Sequence, residues 1–411
     1  MANALWLFTM RFPFGTGEPF LELELPELCR RFDRVHVVPL FQEGEARELP
    51  ANASVERVLR DPYATAGPAL LAKRLGDFRR GMSALRREAP SPEVFVRRRA
   101  ELRSRLRQAM QRAEWLEGHL AGRFDPQRDL LYTYWTADWA TVLALLKRRH
   151  PAWHMVSRVH GFDLFPERDP DGWIPFRSMH LEAMDRIHCV SRAGLETMER
   201  LHPAYRDRFH LARLGTVDHG PGPWTPSDTL RLVSCGNLVP LKRVELIVQA
   251  LGMIGRPVAW THFGDGPERG RLETLAGTLP EHVQVVWKGA VPNHELITYY
   301  RHHPVDLFVH ASASEGGVPV ALQEAASFGI PLVACDAGGV RELVSEGTGL
   351  LLLVDVDPAS LARAIVDAST RLGGDPSFRN GVRARWGEGF QAPVNFGLFC
   401  DDLIDGIRKR S

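Results

Sequence analysis

The sequence predicts an α/β protein built from two doubly wound, Rossmann-like domains. Three observations carry this reading. The chain has 411 residues, room for two such units. Short apolar runs alternate with helical patterns, the signature of parallel sheets covered by helices. A Pro- and Gly-rich polar stretch, Val217 to Thr229, divides those runs into two sets.

In the first set the strand candidates are ALWLFTM from Ala4, RVHVVPL from Arg34, LLYTYW from Leu130 and HMVSRVH from His154. In the second they are LRLVSCG from Leu230, VAWTHFG from Val258, VQVVWKG from Val283, VDLFVHA from Val305 and IPLVACD from Ile330. Several are nearly continuous apolar runs, as strands buried on both faces require. The expected division is a first domain over residues 1–216, a second over 217–391, and a C-terminal segment 392–411 containing NFGLFCDDLIDGIRKR. No internal repeat or low-complexity tract interrupts this pattern.

Composition narrows the function. Apolar residues make up 44% and charged residues 25% of the chain, and net charge is +1, so bulk attraction to nucleic acid is not expected. The five cysteines are scattered with no CxxC pair, which points away from a zinc site or a disulfide framework and toward a reducing cytoplasm. The opening apolar run, Ala4 to Met10, reads as a buried strand and not a signal peptide. No stretch approaches the roughly 18 apolar residues of a membrane span.

One segment departs from plain alternation. Leu70 to Arg112 carries thirteen Lys or Arg against four Asp or Glu, a local net charge of +9. Phe95, Leu102, Leu106 and Met110 keep helical spacing within it, with arginines between them. A solvated helical hairpin explains this pattern; so does a basic amphipathic surface that meets anionic lipid.

The richest chemistry lies in Ala311 to Leu343, ASASEGGVPVALQEAASFGIPLVACDAGGVREL. A strand ends in a small-residue turn bearing Glu315, Gly316, Gly317 and Val318, and a helix beginning near Pro319 carries Glu324. In open α/β sheets ligands sit beyond the carboxyl ends of the strands. A carboxylate there can accept two hydroxyl hydrogen bonds, and glycines admit a ligand close to the backbone. Further candidates follow the same rule. Lys242 and Arg243 stand at a strand-to-helix turn, Gly264 and Gly266 in a G-D-G turn, and Lys288, Gly289 and Val291 after VQVVWKG. In the first domain His160 and Asp163 follow a strand in HGFD, and Gly15-Thr16-Gly17 precedes Glu18 and Glu22. A helix cap or loop anchor accounts equally for Asp163, and a helix-start carboxylate for Glu18.

These motifs resemble the family 4 glycosyltransferases, whose fold is GT-B. The shared elements are SEGG, QEAASFGIPLVACD and AGGVREL, with HGFDL and the N-terminal FPFGTGEPFLELEL. The similarity is to the enzymes of bacterial exopolysaccharide and colanic-acid-type pathways. Three departures stand out. Glu315 to Glu324 is E-x8-E where the family usually has E-x7-E, Asn237 stands where an arginine is common, and Arg243 stands where a glycine is common.

The resemblance implies two domains facing across a cleft, with the C-terminal helix crossing back to the first. It implies that Glu324 binds the ribose hydroxyls and Glu315 the sugar hydroxyls of a nucleoside diphosphate sugar. Gly15, Gly17, Asp163, Arg243, Gly264, Gly266, Gly289, Gly316, Gly317 and Val318 would border that donor. Lys242 would neutralise the departing diphosphate, and His160 would sit beside the reacting sugar. The implied reaction is retaining hexosyl transfer, with no cofactor and no metal. The acceptor would be a saccharide or lipid-linked saccharide, reached by a cytoplasmic protein that docks peripherally on an anionic membrane face. A nucleotide-sugar epimerase on the same fold, or a non-catalytic sugar-binding homologue, are the alternatives.

Overall fold

The computed structural model describes residues 3–15, 17–57, 61–372 and 374–408. Thr16 of the glycine turn, and Lys409 to Ser411 of the expected C-terminal helix, lie outside the described residues. The chain divides into two compact units. Unit 1 comprises Met1–Val190, Gly194–Ala212 and Phe396–Ser411; unit 2 comprises Ser191–Ala193 and Arg213–Asn395.

Unit 1 holds a seven-stranded parallel sheet: β1 (Ala4–Thr9), β2 (Arg34–Pro39), β3 (Ala53–Val55), β4 (Leu130–Thr133), β5 (Met155–Val159), β6 (Arg186–Cys189) and β7 (Phe209–Leu211). Its order is β3-β2-β1-β4-β5-β6-β7. Unit 2 holds a six-stranded parallel sheet: β8 (Leu230–Cys235), β9 (Val258–Phe263), β10 (Val283–Gly289), β11 (Leu307–His310), β12 (Leu332–Cys335) and β13 (Gly349–Leu352). Its order is β10-β9-β8-β11-β12-β13. Each sheet reverses direction of growth beside its first strand, between β1 and β4 and between β8 and β11, the switch points where open α/β sheets bind ligands. Strands such as β1, β4, β5 and β11 are buried along their full length, which explains their uninterrupted apolar runs.

The unit boundary falls at Ala212/Arg213, four residues before the one expected. The reason is local. Thr216 donates its N–H to the carbonyl of Phe390, and its own carbonyl accepts from Ala392. Asn395 adds a side-chain bond to the Leu214 carbonyl. These bonds draw 213–216 and 391–395 together into unit 2. The C-terminal helix, Ala392–Arg408, therefore begins in unit 2 and ends in unit 1. There Phe399, Cys400, Leu403 and Ile407 are buried in the core that also contains Leu5, Leu28 and Tyr132. Asp402 accepts from Arg186 and pairs with His188 at 2.8 Å. Beneath this helix lies a fully buried ion pair, Glu24 with Arg158, whose guanidinium rests 4.1 Å from the Phe399 ring centroid. The Tyr132 hydroxyl donates to the other Glu24 oxygen.

The basic segment forms the helices Pro68–Lys73, Leu75–Glu88 and Pro92–Leu120. Leu102, Leu106 and Met110 are buried with Leu85 in the unit 1 core, while Phe95 is only partly covered. Much of the positive charge is matched locally. Arg74 pairs with Glu114 and Glu117, Arg80 with Asp77, and Arg98 with Glu101 and Asp169. Arg112 is buried and donates to the Pro62 carbonyl. Arg79, Arg86, Arg99 and Arg103 are exposed and have no ion-pair partner among the described residues. No helix among the described residues is long and apolar enough to cross a membrane.

Candidate functional site

In unit 2 the loop after β11 and the loop after β8 are stitched together by backbone. Ala313 N–H and the buried Ser312 hydroxyl both reach the Leu241 carbonyl, at 2.9 and 3.2 Å. The run Ala311-Ser312-Ala313-Ser314 lies at this junction. The stitching brings Lys242 beside Glu315, which follows the run. Lys242 Nζ donates to Glu315 Oε1, and His310 Nε2 stands 3.0 Å from the same oxygen. Burial alone would raise the Glu315 carboxyl. The bonds and charge of His310 and Lys242 outweigh it and hold the group well below the usual carboxylate range. Glu315 is therefore an ionised, oriented carboxylate despite the longer E-x8-E spacing.

The turn beyond it is backed by the diglycine. A Cβ at Gly338 would lie 1.8 Å from the Glu315 carbonyl oxygen, and one at Gly339 would lie 2.7 Å from the Gly317 carbonyl carbon. No other residue admits the turn so close. Gly316 accepts from the Ser191 hydroxyl at 2.9 Å, and the Val318 carbonyl accepts from Gln323 at 2.8 Å. Pro319 then precedes the helix Val320–Ser327, which carries Glu324.

Glu324 is buried and has one polar partner among the described residues, Asn293 Nδ2 at 2.6 Å. Burial, opposed only by that bond, pushes its carboxyl up to about 7. Two carboxylates nine residues apart are thus in opposite states, one pinned as an anion and one poised between charged and neutral.

Gly264 and Gly266 serve a related packing role. A Cβ at Gly264 would meet the Gly236 carbonyl at 2.0 Å, so the loops after β8 and β9 interlock. Gly289, with φ +73°, closes the same rim, its carbonyl accepting from Gly264 N–H at 2.8 Å. Lys288 is exposed and Val291 half-buried beside it. Arg243, expected to border the donor, stands at the start of the helix after β8. It sits at φ +46° with its guanidinium bonded to the carbonyls of Ala311 and Val354, so its donors hold the Glu315 loop.

In unit 1 the group centres on His160. Its ring lies 4.2 Å from Trp135 and 4.7 Å from Tyr134, between centroids. Neither ring nitrogen has a hydrogen-bond partner among the described residues. Burial, with the Arg158 charge adding to it, keeps the imidazole neutral by lowering its pKa well below the ordinary value. Asp163 is a loop anchor. It is buried, and its oxygens accept from His160 N–H at 2.7 Å and Thr136 N–H at 2.9 Å. Its contribution is to fix the backbone that aims His160.

Glu18 is neither a helix-start carboxylate nor a free group. It accepts from the N–H groups of Met10, Arg11 and Phe12 and from Trp135 Nε1. Gly15, at φ +61°, and Gly17 offer their carbonyls to Arg47, and Glu22 pairs with the same arginine at 3.0 Å. The glycine turn is thus clamped from below.

Sequence reasoning missed His310 and Asn293. His310 ends the strand VDLFVHA, where a polar residue closing an apolar run was the available signal. Asn293 lies 31 residues from Glu324 in sequence, and nothing local marks it.

Residues 224–371 match the glycosyl transferases group 1 model. The chain is 31% identical over 242 residues to a GDP-mannose-dependent alpha-mannosyltransferase of Mycolicibacterium smegmatis, covering 56% of this chain and 59% of that protein. It is 26% identical over 188 residues to the amylovoran biosynthesis glycosyltransferase AmsK of Erwinia amylovora, covering 44% and 41%. The chain thus spans less than two-thirds of the length of the curated relatives it matches. The fold matches HepE of Anabaena in complex with UDP, with a TM-score of 0.68 and 15% identity over 98% of this chain and 99% of that one.

Proposed function

From a chain that carries a glycosyl transferases group 1 domain on a GT-B fold, we propose a retaining hexosyltransferase that uses a nucleoside diphosphate sugar. The observation that carries the proposal is the paired state of Glu315 and Glu324 on one β–α connection. Glu324, buried and nearly unpartnered, suits two vicinal hydroxyls, whose donors would stabilise its charged form. Glu315 is already ionised and oriented, suited to hydroxyls of a sugar. HepE was solved with UDP and with UDP-glucose, which favours a nucleotide sugar as the donor class here.

Lys242 supplies the cation. An ammonium has three donors, and Glu315 takes one. The others are available to a diphosphate, where negative charge grows as the glycosidic bond breaks. On this reading no metal is required. Neither carboxylate acts as a covalent nucleophile: the acceptor hydroxyl attacks from the face the diphosphate leaves, and the leaving phosphate takes its proton. His160, neutral and held by Asp163, offers a hydrogen bond to the transferred sugar. The enzyme works by positioning and electrostatics.

The proposed acceptor is a lipid-linked saccharide at the cytoplasmic membrane face, in polysaccharide biosynthesis. Arg99 and Arg103, four residues apart, share a helix face with the exposed Val96; Arg79 and Arg86, seven apart, share another. Each basic residue near an anionic leaflet contributes about 1 kcal/mol.

The direct test is a donor panel. Nucleoside diphosphate hexoses should raise the unfolding temperature in the presence of a chelator, and product analysis should show transfer with the anomeric configuration kept. Protection by no donor, epimerised sugar with no transfer, or strict dependence on added metal would each overturn the corresponding part.

A further inference from the structure

Two donors converge on one oxygen of Glu315. Lys242 Nζ donates to Oε1, and His310 Nε2 lies 3.0 Å from the same atom. Oε2 has no hydrogen-bond partner among the described residues. An ionised carboxylate can only accept, so His310 donates, and does so from Nε2.

A glutamate paired with a lysine alone would not be held this way. The terminal torsion of a glutamate is broad and two-fold, and an ammonium on a flexible stem can follow either oxygen or bridge both. His310 is the immobile member of the three. It stands at the carboxyl end of β11, its backbone in register with Ala334 of β12, and its side chain is 6% exposed against 12% for Glu315 and 23% for Lys242. The loop between His310 and Glu315 is itself tied down. Ala313 N–H donates to the Leu241 carbonyl, and Arg243 Nε donates to the Ala311 carbonyl at 2.8 Å. A carboxylate held at Oε1 by so fixed a donor cannot turn to give both oxygens to Lys242.

We propose that His310 is a positioning residue of sugar transfer. It pins Oε1, so that Oε2 is the oxygen that accepts from the donor sugar, and so that Lys242 spends one N–H on Glu315 and keeps two for the departing diphosphate. The inference rests on the transferase reading of Glu315 and Lys242. An apolar ring at position 310 would free the carboxylate to turn onto Lys242 and draw the ammonium away from the oxygens where charge grows. Glutamine would restore the hold, because its amide nitrogen lies as many bonds from Cβ as Nε2 of histidine does.

The test follows release of nucleoside diphosphate into water from UDP-glucose and from GDP-mannose by the full chain. His310→Phe should slow release about tenfold, and His310→Gln should stay within about threefold of wild type. On a Glu315→Ala background, where no carboxylate remains to be held, His310→Phe should change the rate by less than about twofold. A crystal structure of the His310→Phe variant should show the Glu315 carboxylate turned, with both oxygens on Lys242. A wild type that releases diphosphate from neither donor overturns the transferase reading, and the inference with it. An active wild type overturns the inference alone if His310→Phe leaves the rate unchanged, if His310→Gln is as slow as His310→Phe, if the loss is equal on both backgrounds, or if Glu315 has not turned. If His310→Phe does not fold, His310→Leu, which also lacks a donor, takes its place in every arm.

Discussion

Glu324→Gln should stabilise unit 2 by an amount that grows as pH rises from about 4.5 to about 7 and is constant above that. The carboxyl has an ordinary value of 4.5 and is pushed up to about 7 in the folded chain. Between those values the native state holds a proton that the unfolded state has released. Stability is therefore greatest below pH 4.5, declines as pH rises, and is lost in full above about pH 7. The difference of roughly 2.5 pH units corresponds to about 3 kcal/mol at 1.36 kcal/mol per unit. Glutamine cannot ionise, yet its carbonyl oxygen can still accept from Asn293. The variant should match wild type to within about 1 kcal/mol near pH 5 and exceed it by about 3 kcal/mol at pH 8.5. Hydrogen exchange of the amides in β11 and β12, followed across that range, reads the gap within unit 2 alone. A gap that does not grow with pH would refute the argument, because it would place the ionisation outside the buried site. The same variant should bind nucleotide sugar more weakly, a gain in stability set against a loss of function.

Donor binding itself should tighten as pH rises through 7 and release a proton, measurable by calorimetry in buffers of different ionisation enthalpy; equal heats in all buffers would remove Glu324 from the site. Lys242→Ala should lower kcat by about 10²-fold with little change in donor affinity, since the charge it meets develops in the transition state; a loss confined to KM would argue for a ground-state role. His160→Phe keeps the stack on Trp135 and Tyr134 but removes both nitrogens, so the fold should survive while turnover falls by about 10- to 100-fold, read by circular dichroism and initial rates. Arg158→Met should cost about 3–5 kcal/mol in denaturant unfolding because it strands Glu24 fully buried; a loss below about 1 kcal/mol would contradict the burial. Sedimentation with anionic vesicles should fall with salt and with Arg79→Glu, Arg86→Glu, Arg99→Glu and Arg103→Glu combined; equal binding to neutral vesicles would leave the segment a solvated hairpin.

The nine strands legible in the sequence were those whose apolar runs are bounded by turn residues. β3, β6, β7 and β13 were not legible, for identifiable reasons. β6 reads RIHC, its histidine buried and paired with Asp402 over 200 residues away, and β7 has only three residues. β13 begins on Gly349, just after Gly347-Thr348, and looks like a loop end. At the candidate site, motif spacing placed Glu315, Glu324 and Lys242, because β–α turns concentrate function in short stretches. It could not assign Glu18, Asp163 or Arg243. Their side chains turn back onto backbone, and only tertiary structure tells a group aimed at a ligand from one aimed at a neighbouring loop.

The two-unit path of the C-terminal helix has a consequence for biosynthesis. Leu5, Leu28 and Tyr132 are made before unit 2, but the Phe399, Cys400, Leu403 and Ile407 side chains that complete their core are made after it. Unit 1 starts before unit 2 and finishes after it, with most of unit 2 lying between in sequence. During translation the early sheet must wait with an apolar face uncovered, including the site of the Glu24–Arg158 pair. That face is where a nascent-chain chaperone would be needed, and where slowing translation of the helix Ala392–Arg408 would show first as aggregation.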